Sequence, residues 1–188
     1  MSRMIIVIEG IPGSGKTSLQ KHLSKELGLF SIPEVLIKKQ TKNIPNARMQ
    51  QQKWFWENDM RKIELALKKK KAVLDRNYVS TLGYNWSIPD NEPLYKKLLN
   101  LYIKNINKIK KPDCYIYLDV PVKLSLKRKN RLNSKTDEWT DKKFLINYKK
   151  FYNFFFSSLE KEIQIIRVDA SLPMKDIIIY TIKRLKQL

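Results

Sequence analysis

Gly10-Ile11-Pro12-Gly13-Ser14-Gly15-Lys16-Thr17 follows the apolar run Met4 to Ile8 and precedes a helical pattern in which Leu19, Leu23 and Leu27 recur on one face. Glycine, four residues, glycine, lysine and threonine in this context read as a phosphate-binding loop. Gly10, Gly13 and Gly15 let backbone N–H groups, Ser14 among them, close around a polyphosphate without a Cβ in the way. Lys16 supplies a mobile positive charge for the β- and γ-phosphates, and Thr17 supplies an oxygen for Mg²⁺. The helix that starts here aims its free N–H groups and the positive end of its dipole at the same anion. Gly28 follows Leu27 as the expected C-cap. The loop alone leaves kinase, ATPase, GTPase and nucleic-acid motor open.

Outward from the loop, the 188 residues suit one domain with a single substantial core. No apolar run reaches membrane-spanning length, and Met1 to Gly10 is too short and too well fitted to a first strand for a signal peptide. Cys114 is the only cysteine, which excludes a disulfide framework and a cysteine metal site within the chain and favours a cytoplasmic location. The formal net charge of +20 invites a nucleic-acid partner, with Lys68 to Lys71 and Lys104 to Lys111 as its densest clusters. Lysine is spread along almost every helix, however, so a compositional bias is the favoured reading. The sole histidine, His22, has no acidic or nucleophilic partner at useful spacing and is expected on the surface.

Later segments alternate. Leu29 to Ile32 ends at Pro33 as a short strand, and Glu34 follows it. A helix carrying Trp56, Met60, Ile63 and Leu67 on one stripe should pack on the sheet, with Trp54, Asn58 and Arg61 on its other side. That other side reads either as a solvated face or as the lining of a substrate cleft. Ala72-Val73-Leu74-Asp75 is a compact strand ending in Asp75-Arg76-Asn77, and ligands of open α/β sheets bind outside the carboxyl ends of strands. Asp75 is therefore a candidate for Mg²⁺ or for a hydroxyl, and Arg76 for a phosphate or the attacking oxygen. A helix is expected around Ser80 to Trp86, and another with Leu98, Tyr102, Ile106 and Ile109 in phase. Cys114 to Leu118 is a fourth strand. The basic stretch from Lys127 through Arg128 and Arg131 to Asp137 suits a lid over ATP. Phe144, Tyr148, Phe151 and Phe155 read as a core stripe. Ile163 to Val168 is a fifth strand, and Asp169-Ala170-Ser171 leads into a last helix. This order implies an α/β fold of three layers: a mostly parallel five-stranded sheet with helices on both faces.

With these residues in place, the chain resembles a P-loop nucleotide kinase of the thymidylate kinase and deoxynucleoside kinase group. Ile8-Glu9-Gly10 with the loop is similar to both families. Asp75-Arg76-Asn77-Tyr78 and Ser80 to Asn85 resemble the Asp-Arg segment of thymidylate kinases. Pro112-Asp113 through Val120 resembles their next strand, the segment around Arg128 and Arg131 their lid, and Val168-Asp169-Ala170-Ser171 their adenine-side loop. The resemblance implies transfer of the γ-phosphoryl group of ATP, with Mg²⁺, to a nucleoside monophosphate or a nucleoside. It implies Arg76 and Arg61 at the acceptor, Arg128 or Arg131 as the lid arginine, and Thr17 and Asp75 at the metal. Thymidylate kinases carry an arginine before the Glu-Pro after the second strand, whereas here Ile32-Pro33-Glu34-Val35 has none. Their base-stacking aromatic one turn before Arg61 is also missing, with Trp54 or Trp56 as substitutes. In deoxynucleoside kinases a glutamate after the second strand acts as base toward the 5′-hydroxyl, and Glu34 is suitably placed. A monophosphate acceptor is the first expectation and a nucleoside the second. A polynucleotide or other small hydroxyl acceptor, and a non-catalytic nucleotide-dependent binding module, stay open, as do the base and sugar preferred. The oligomeric state, a homodimer included, is open as well.

Overall fold

Short apolar segments without interior proline, each flanked by a helix, fold as parallel strands buried on both faces. The computed structural model of this chain describes residues 3–36, 47–89, 91–105, 107, 109–130 and 137–188. In chain order its elements are β1 (Met4–Glu9), α1 (Lys16–Leu27), β2 (Phe30–Ile32), α2 (Ala47–Lys69), β3 (Lys71–Asp75), α3 (Tyr78–Ser87), α4 (Glu92–Asn105), β4 (Cys114–Asp119), α5 (Val122–Asn130), α6 (Lys142–Leu159), β5 (Gln164–Asp169) and α7 (Met174–Leu185). A 3-10 turn at Asp137–Thr140 precedes α6. The five strands lie in the order β2-β3-β1-β4-β5, all parallel. β1 is central and, from Ile5 to Glu9, wholly buried. Ile8 pairs with Asp75 on one side and Ile116 on the other, so Glu9 and Asp75 end their strands along one edge, with Tyr117 of β4 beside Glu9.

α1 and α7 pack together on one face of the sheet; α2, α3 and α6 form the layer on the other. α1 is fastened by Gln20, whose Nε2 donates to Ile32 O and to Val73 O and so ties β2 to β3. α6 lays Tyr152 and Phe156 on Tyr117 and Tyr115 of β4. It approaches α3 so closely that a Cβ on Gly83 would meet Phe151 Cδ1 at 2.5 Å and Tyr148 Cε2 at 2.6 Å. No other residue fits there without moving a buried ring.

Two expectations shift in the structure. The helix expected to carry Ile106 and Ile109 ends at Asn105; Ile109 is buried beyond that end, and Ile106 lies outside the described residues. On α2 only Trp56 of the expected stripe is fully buried, whereas Met60, Ile63 and Leu67 are partly covered. The deeply buried side instead carries Gln52, Asn58, Asp59, Lys62 and Ala66. The reason is that this side of α2 faces the polar carboxyl ends of β2 and β3 and the start of α3, so periodicity of apolar residues alone misplaces its inner face. Among the described residues no helix is long and apolar enough to cross a membrane.

Candidate active site

At the carboxyl edge of the sheet the loop after β1 turns back on itself, with Ser14 N donating to Ile11 O at 3.3 Å. Gly13 takes φ 72°, and a Cβ there would stand 2.9 Å from Ser125 O, so only glycine lets the loop pass under α5. Ser125 Oγ donates to Pro12 O at 2.6 Å, and Arg128 Nη1 donates to Gly13 O at 3.2 Å and to Ala170 O at 2.9 Å. Arg128 thus braces the loop against the segment after β5. A cavity of about 400 Å³ opens beside it, lined by Gly13, Gly15, Arg128, Ser171, Leu172 and Met174 among others. Ala170 is buried behind that wall, while Asp169 is exposed and accepts from Ser171 N and Ser171 Oγ, shaping the turn.

Lys16 is buried, and its Nζ donates to Gly10 O, Ile11 O and Ser14 Oγ at 3.0 to 3.3 Å. Burial pushes the ammonium down to about 7, and the like charge of Arg76 adds to this, against the opposing pull of Asp75, Glu34 and Glu9. A polyanion in the loop would restore the charge. Thr17 Oγ1 donates to Asp75 Oδ2 at 2.6 Å, and Asp75 Oδ1 is buried without a hydrogen-bond partner among the described residues. An orphaned carboxylate oxygen beside a hydroxyl, both facing the phosphate loop, is a donor set of oxygens that fits a hexacoordinate hard cation such as Mg²⁺.

The other half of the cleft centres on Arg76. It has φ 65°, a left-handed backbone that a long side chain adopts only when its surroundings hold it. Its Nε lies 3.0 Å from Glu34 Oε1, and its Nη1 donates to Ser80 Oγ at 3.0 Å and to the Tyr152 hydroxyl at 3.2 Å. Behind these groups sits Glu9, fully buried, which accepts from Asn77 N, Ser80 Oγ and the Tyr152 hydroxyl. Burial raises the Glu9 carboxyl above its ordinary range, although the Arg76 charge and these donors pull it back. For Arg76 burial opposes the charge, but Glu34, Tyr148, Tyr152 and Glu9 outweigh it and hold the guanidinium protonated. Burial alone would raise Glu34 too; Arg76, Lys16, Lys62 and Lys129 together hold it below the ordinary carboxylate range. Glu34 is therefore an ionised carboxylate, half exposed, at the mouth of the cleft.

The sequence-predicted residues separate in space. Lys16, Thr17, Asp75, Arg76 and Glu34 converge. Asn58 is fully buried and does not face an open cleft: its Oδ1 accepts from Leu36 N and its Nδ2 donates to Glu34 O. Trp54 is half-buried and packs edge-on against its neighbour Phe55, with ring centroids 4.8 Å apart. Arg61 is exposed, on the same side of α2 as Lys53, Glu57 and Glu64, and is not brought to the cleft. Its neighbour Lys62 is, with no exposed surface and its Nζ donating to Glu34 O at 3.2 Å, Asp75 O at 2.7 Å and Arg76 O at 2.8 Å. Arg131 lies outside the described residues. At the end of α5, Arg128 turns toward the loop and β5, whereas Lys129 is felt electrostatically by Arg76 and Glu34 and lies 6.0 Å from the Trp139 ring.

Sequence reasoning missed Glu9, Lys62, Lys129, Tyr148 and Tyr152 as site residues. Glu9 carried a signal, an acidic residue closing an otherwise apolar strand. Lys62 was one lysine among many, and the two tyrosines belong to a stripe whose rings do pack as core while their hydroxyls serve Arg76 and Glu9.

Comparison with known proteins agrees with the fold. No curated protein matches the sequence. Among solved structures the chain is similar to deoxyadenosine kinase from M. mycoides with the products dCMP and a flexible dCDP bound, at 20% identity and a TM-score of 0.80, covering 98% of this chain and 100% of that one. The same enzyme with bound dATP gives 18% identity and a TM-score of 0.77, covering 97% and 100%. With bound dCTP it gives 21% and 0.71, covering 98% and 100%. At such identities these likenesses establish the fold. The family described as thymidylate kinase matches residues 52–178, more than half of the sequence. On that match, and with a phosphate loop facing a buried arginine across one parallel sheet, the chain belongs to the thymidylate kinase family of P-loop nucleotide and nucleoside kinases.

Proposed function

We propose that this protein transfers the γ-phosphoryl group of ATP to the 5′-hydroxyl of a nucleoside, with Glu34 as the base. The observation that carries the reading is the ion pair of Glu34 with Arg76, 3.0 Å across, beside the phosphate loop. The cations around it keep the carboxylate ionised, the form that can take a proton, and make it a weaker base than an ordinary carboxylate, so its contribution rests on its position. The guanidinium of Arg76 is already committed to Glu34, Ser80 and Tyr152, so a second dianion could be received there only by giving up the carboxylate. The deoxyadenosine kinase structures, one described with dCMP as product, support a nucleoside acceptor.

In this reading the cavity beside Gly13 and Arg128 takes the donor base, with Leu172 and Met174 as apolar wall. The triphosphate lies in the loop, and Lys16 exchanges Gly10 O and Ile11 O for phosphate oxygens. Mg²⁺, held through Thr17 and Asp75, would neutralise charge on the phosphates. Glu34 takes the proton of the acceptor hydroxyl as its oxygen bonds to the γ-phosphorus. The bond from that phosphorus to the β-phosphate oxygen breaks, and ADP leaves with the electron pair. Arg76 fixes the carboxylate against the attacking oxygen, so positioning and charge carry the rate.

The match to the thymidylate kinase family favours a second reading, with a nucleoside monophosphate as acceptor and Lys129 and Arg76 as its phosphate ligands. ADP release from Mg·ATP over paired nucleosides and monophosphates decides between them. Turnover of deoxynucleosides is expected, and Glu34→Gln should lower that kcat by about 10²-fold or more with the KM for ATP unchanged. Turnover of monophosphates alone, or a Glu34→Gln enzyme with unchanged kcat, overturns the base assignment.

A further inference from the structure

Lys62 is the one fully buried lysine side chain among the described residues with no exposed surface at all, and it sits between the two segments that supply the acceptor-side charges. Its ammonium donates to three backbone carbonyls: Glu34 O, Asp75 O and Arg76 O. An ammonium has three N–H bonds, so each donor is used. Asn58, one helical turn earlier on α2, donates to the same Glu34 O and accepts from Leu36 N. The counter-charge is Asp59, with Oδ1 3.9 Å from Lys62 Nζ and Oδ2 accepting from Thr81 Oγ1 at 2.8 Å. α2 therefore grips the turn after β2 and the turn after β3 at one point.

That grip has a mechanical consequence. Arg76 stands at φ 65°, and its carbonyl together with that of Asp75 is drawn toward Lys62, which is what holds the left-handed turn. Glu34 follows a strand of only three residues at the edge of the sheet, and its backbone is tied to α2 by Lys62 and Asn58 together. An apolar side chain at position 62 would leave Asp75 O and Arg76 O without this donor and Glu34 O with Asn58 alone, and so loosen both turns.

We propose that Lys62 is a positioning residue for phosphoryl transfer: by clasping Glu34 O, Asp75 O and Arg76 O it sets the carboxylate of Glu34 and the guanidinium of Arg76 at their working separation. It touches neither nucleotide nor acceptor, and acts through these two residues. The inference rests on the reading of Glu34 as the base.

The test is a double-mutant cycle on the full-length protein, read as kcat and KM for ATP and for a deoxynucleoside. Lys62→Met keeps the length of the side chain and removes its donors. It is expected to lower kcat about 10-fold to 100-fold, the cost of a small misplacement of reacting groups, while the KM for ATP stays within about twofold. Combined with Glu34→Gln it should cost clearly less than the product of the two single losses, because one of the two groups it positions has already been disabled. A purely structural lysine would lower the folded fraction and leave kcat per folded molecule and the cycle additive; either result overturns the proposal. Lys62→Gln, which keeps an N–H donor, carries the same test where the methionine variant does not fold and is expected to lose less. If Glu34→Gln alone retains full kcat, the base assignment fails by itself. In that case Lys62→Met must still impair an Arg76-dependent kcat for the clasp to stand, and an unimpaired rate removes it.

Discussion

In the proposed reading the donor half of the cleft lies in consecutive residues, Gly10 to Thr17, whose lysine bonds within the loop, whereas the acceptor half is assembled from Glu9, Glu34, Lys62, Arg76, Ser80 and Tyr152 on separate elements. In the first, Lys16 is satisfied by carbonyls of its own loop. In the second, every charged group depends on a partner far away in sequence. A local device is recognisable by spacing and tolerant of its surroundings; a distributed one has no spacing and is only as good as its weakest brace. The two halves should therefore fail differently, and substitutions can expose the contrast.

The largest effect is expected at the local device. Lys16→Ala should cost about 10³-fold in kcat with either acceptor class, because the positive charge aimed at the moving phosphoryl group is gone. The fold should survive, and the pH dependence of its stability should change in a definite direction. Lys16 titrates near 7 in the folded chain against 10.5 for an ordinary lysine, so between those values the unfolded chain binds the extra proton. Stability of the nucleotide-free protein thus rises as pH increases from about 7 toward 10.5, and the full cost of the buried charge is present below 7. Urea midpoints measured across this window should climb in the wild type more steeply than in Lys16→Ala.

The distributed device should give a smaller loss confined to one side. Arg76→Lys keeps a positive charge but cannot reach Glu34, Ser80 and Tyr152 together from one point charge, and a loss of about 10²-fold in kcat is expected. The KM for ATP should barely move, since none of those partners lines the donor cavity. A parallel rise in that KM would mean that the halves are not separable in the way their bonding suggests.

The same contrast explains what the sequence could disclose. Five parallel strands, the phosphate loop, the Asp75-Arg76 strand end and the core helix at Phe144 to Phe155 follow from glycine spacing and apolar periodicity, which are local properties. Glu34 was legible only through resemblance. Lys62 was not, because burial of a lysine depends on which side of α2 meets the carboxyl ends of β2 and β3, and the apolar stripe of α2 misstates that side by about one residue. The hydroxyls of Tyr148 and Tyr152 were hidden for a related reason: a tyrosine is legitimately core by its ring and polar by its tip. Arg128 is expected from the sequence as a lid arginine; its two backbone carbonyl partners come from the loop and from the segment after β5, and no pattern within α5 foretells them.

The smallest expected effect falls on the residue that resemblance ranked among the acceptor ligands. Arg61 is exposed and lies on the outer side of α2, one position before a lysine that is wholly enclosed. Adjacent helical residues point about 100° apart, so only one of the two can reach the cleft. Arg61→Ala should therefore change kcat and both KM values by less than about twofold and stability by no more than ~0.5 kcal/mol, the usual range for a surface substitution. Lys62→Met, its immediate neighbour, should differ from it by about fivefold or more in kcat. If instead Arg61→Ala raises the KM for the acceptor strongly while Lys62→Met does not, α2 must turn on binding substrate, and the clasp seen between α2 and the Arg76 turn would have to open in the working enzyme.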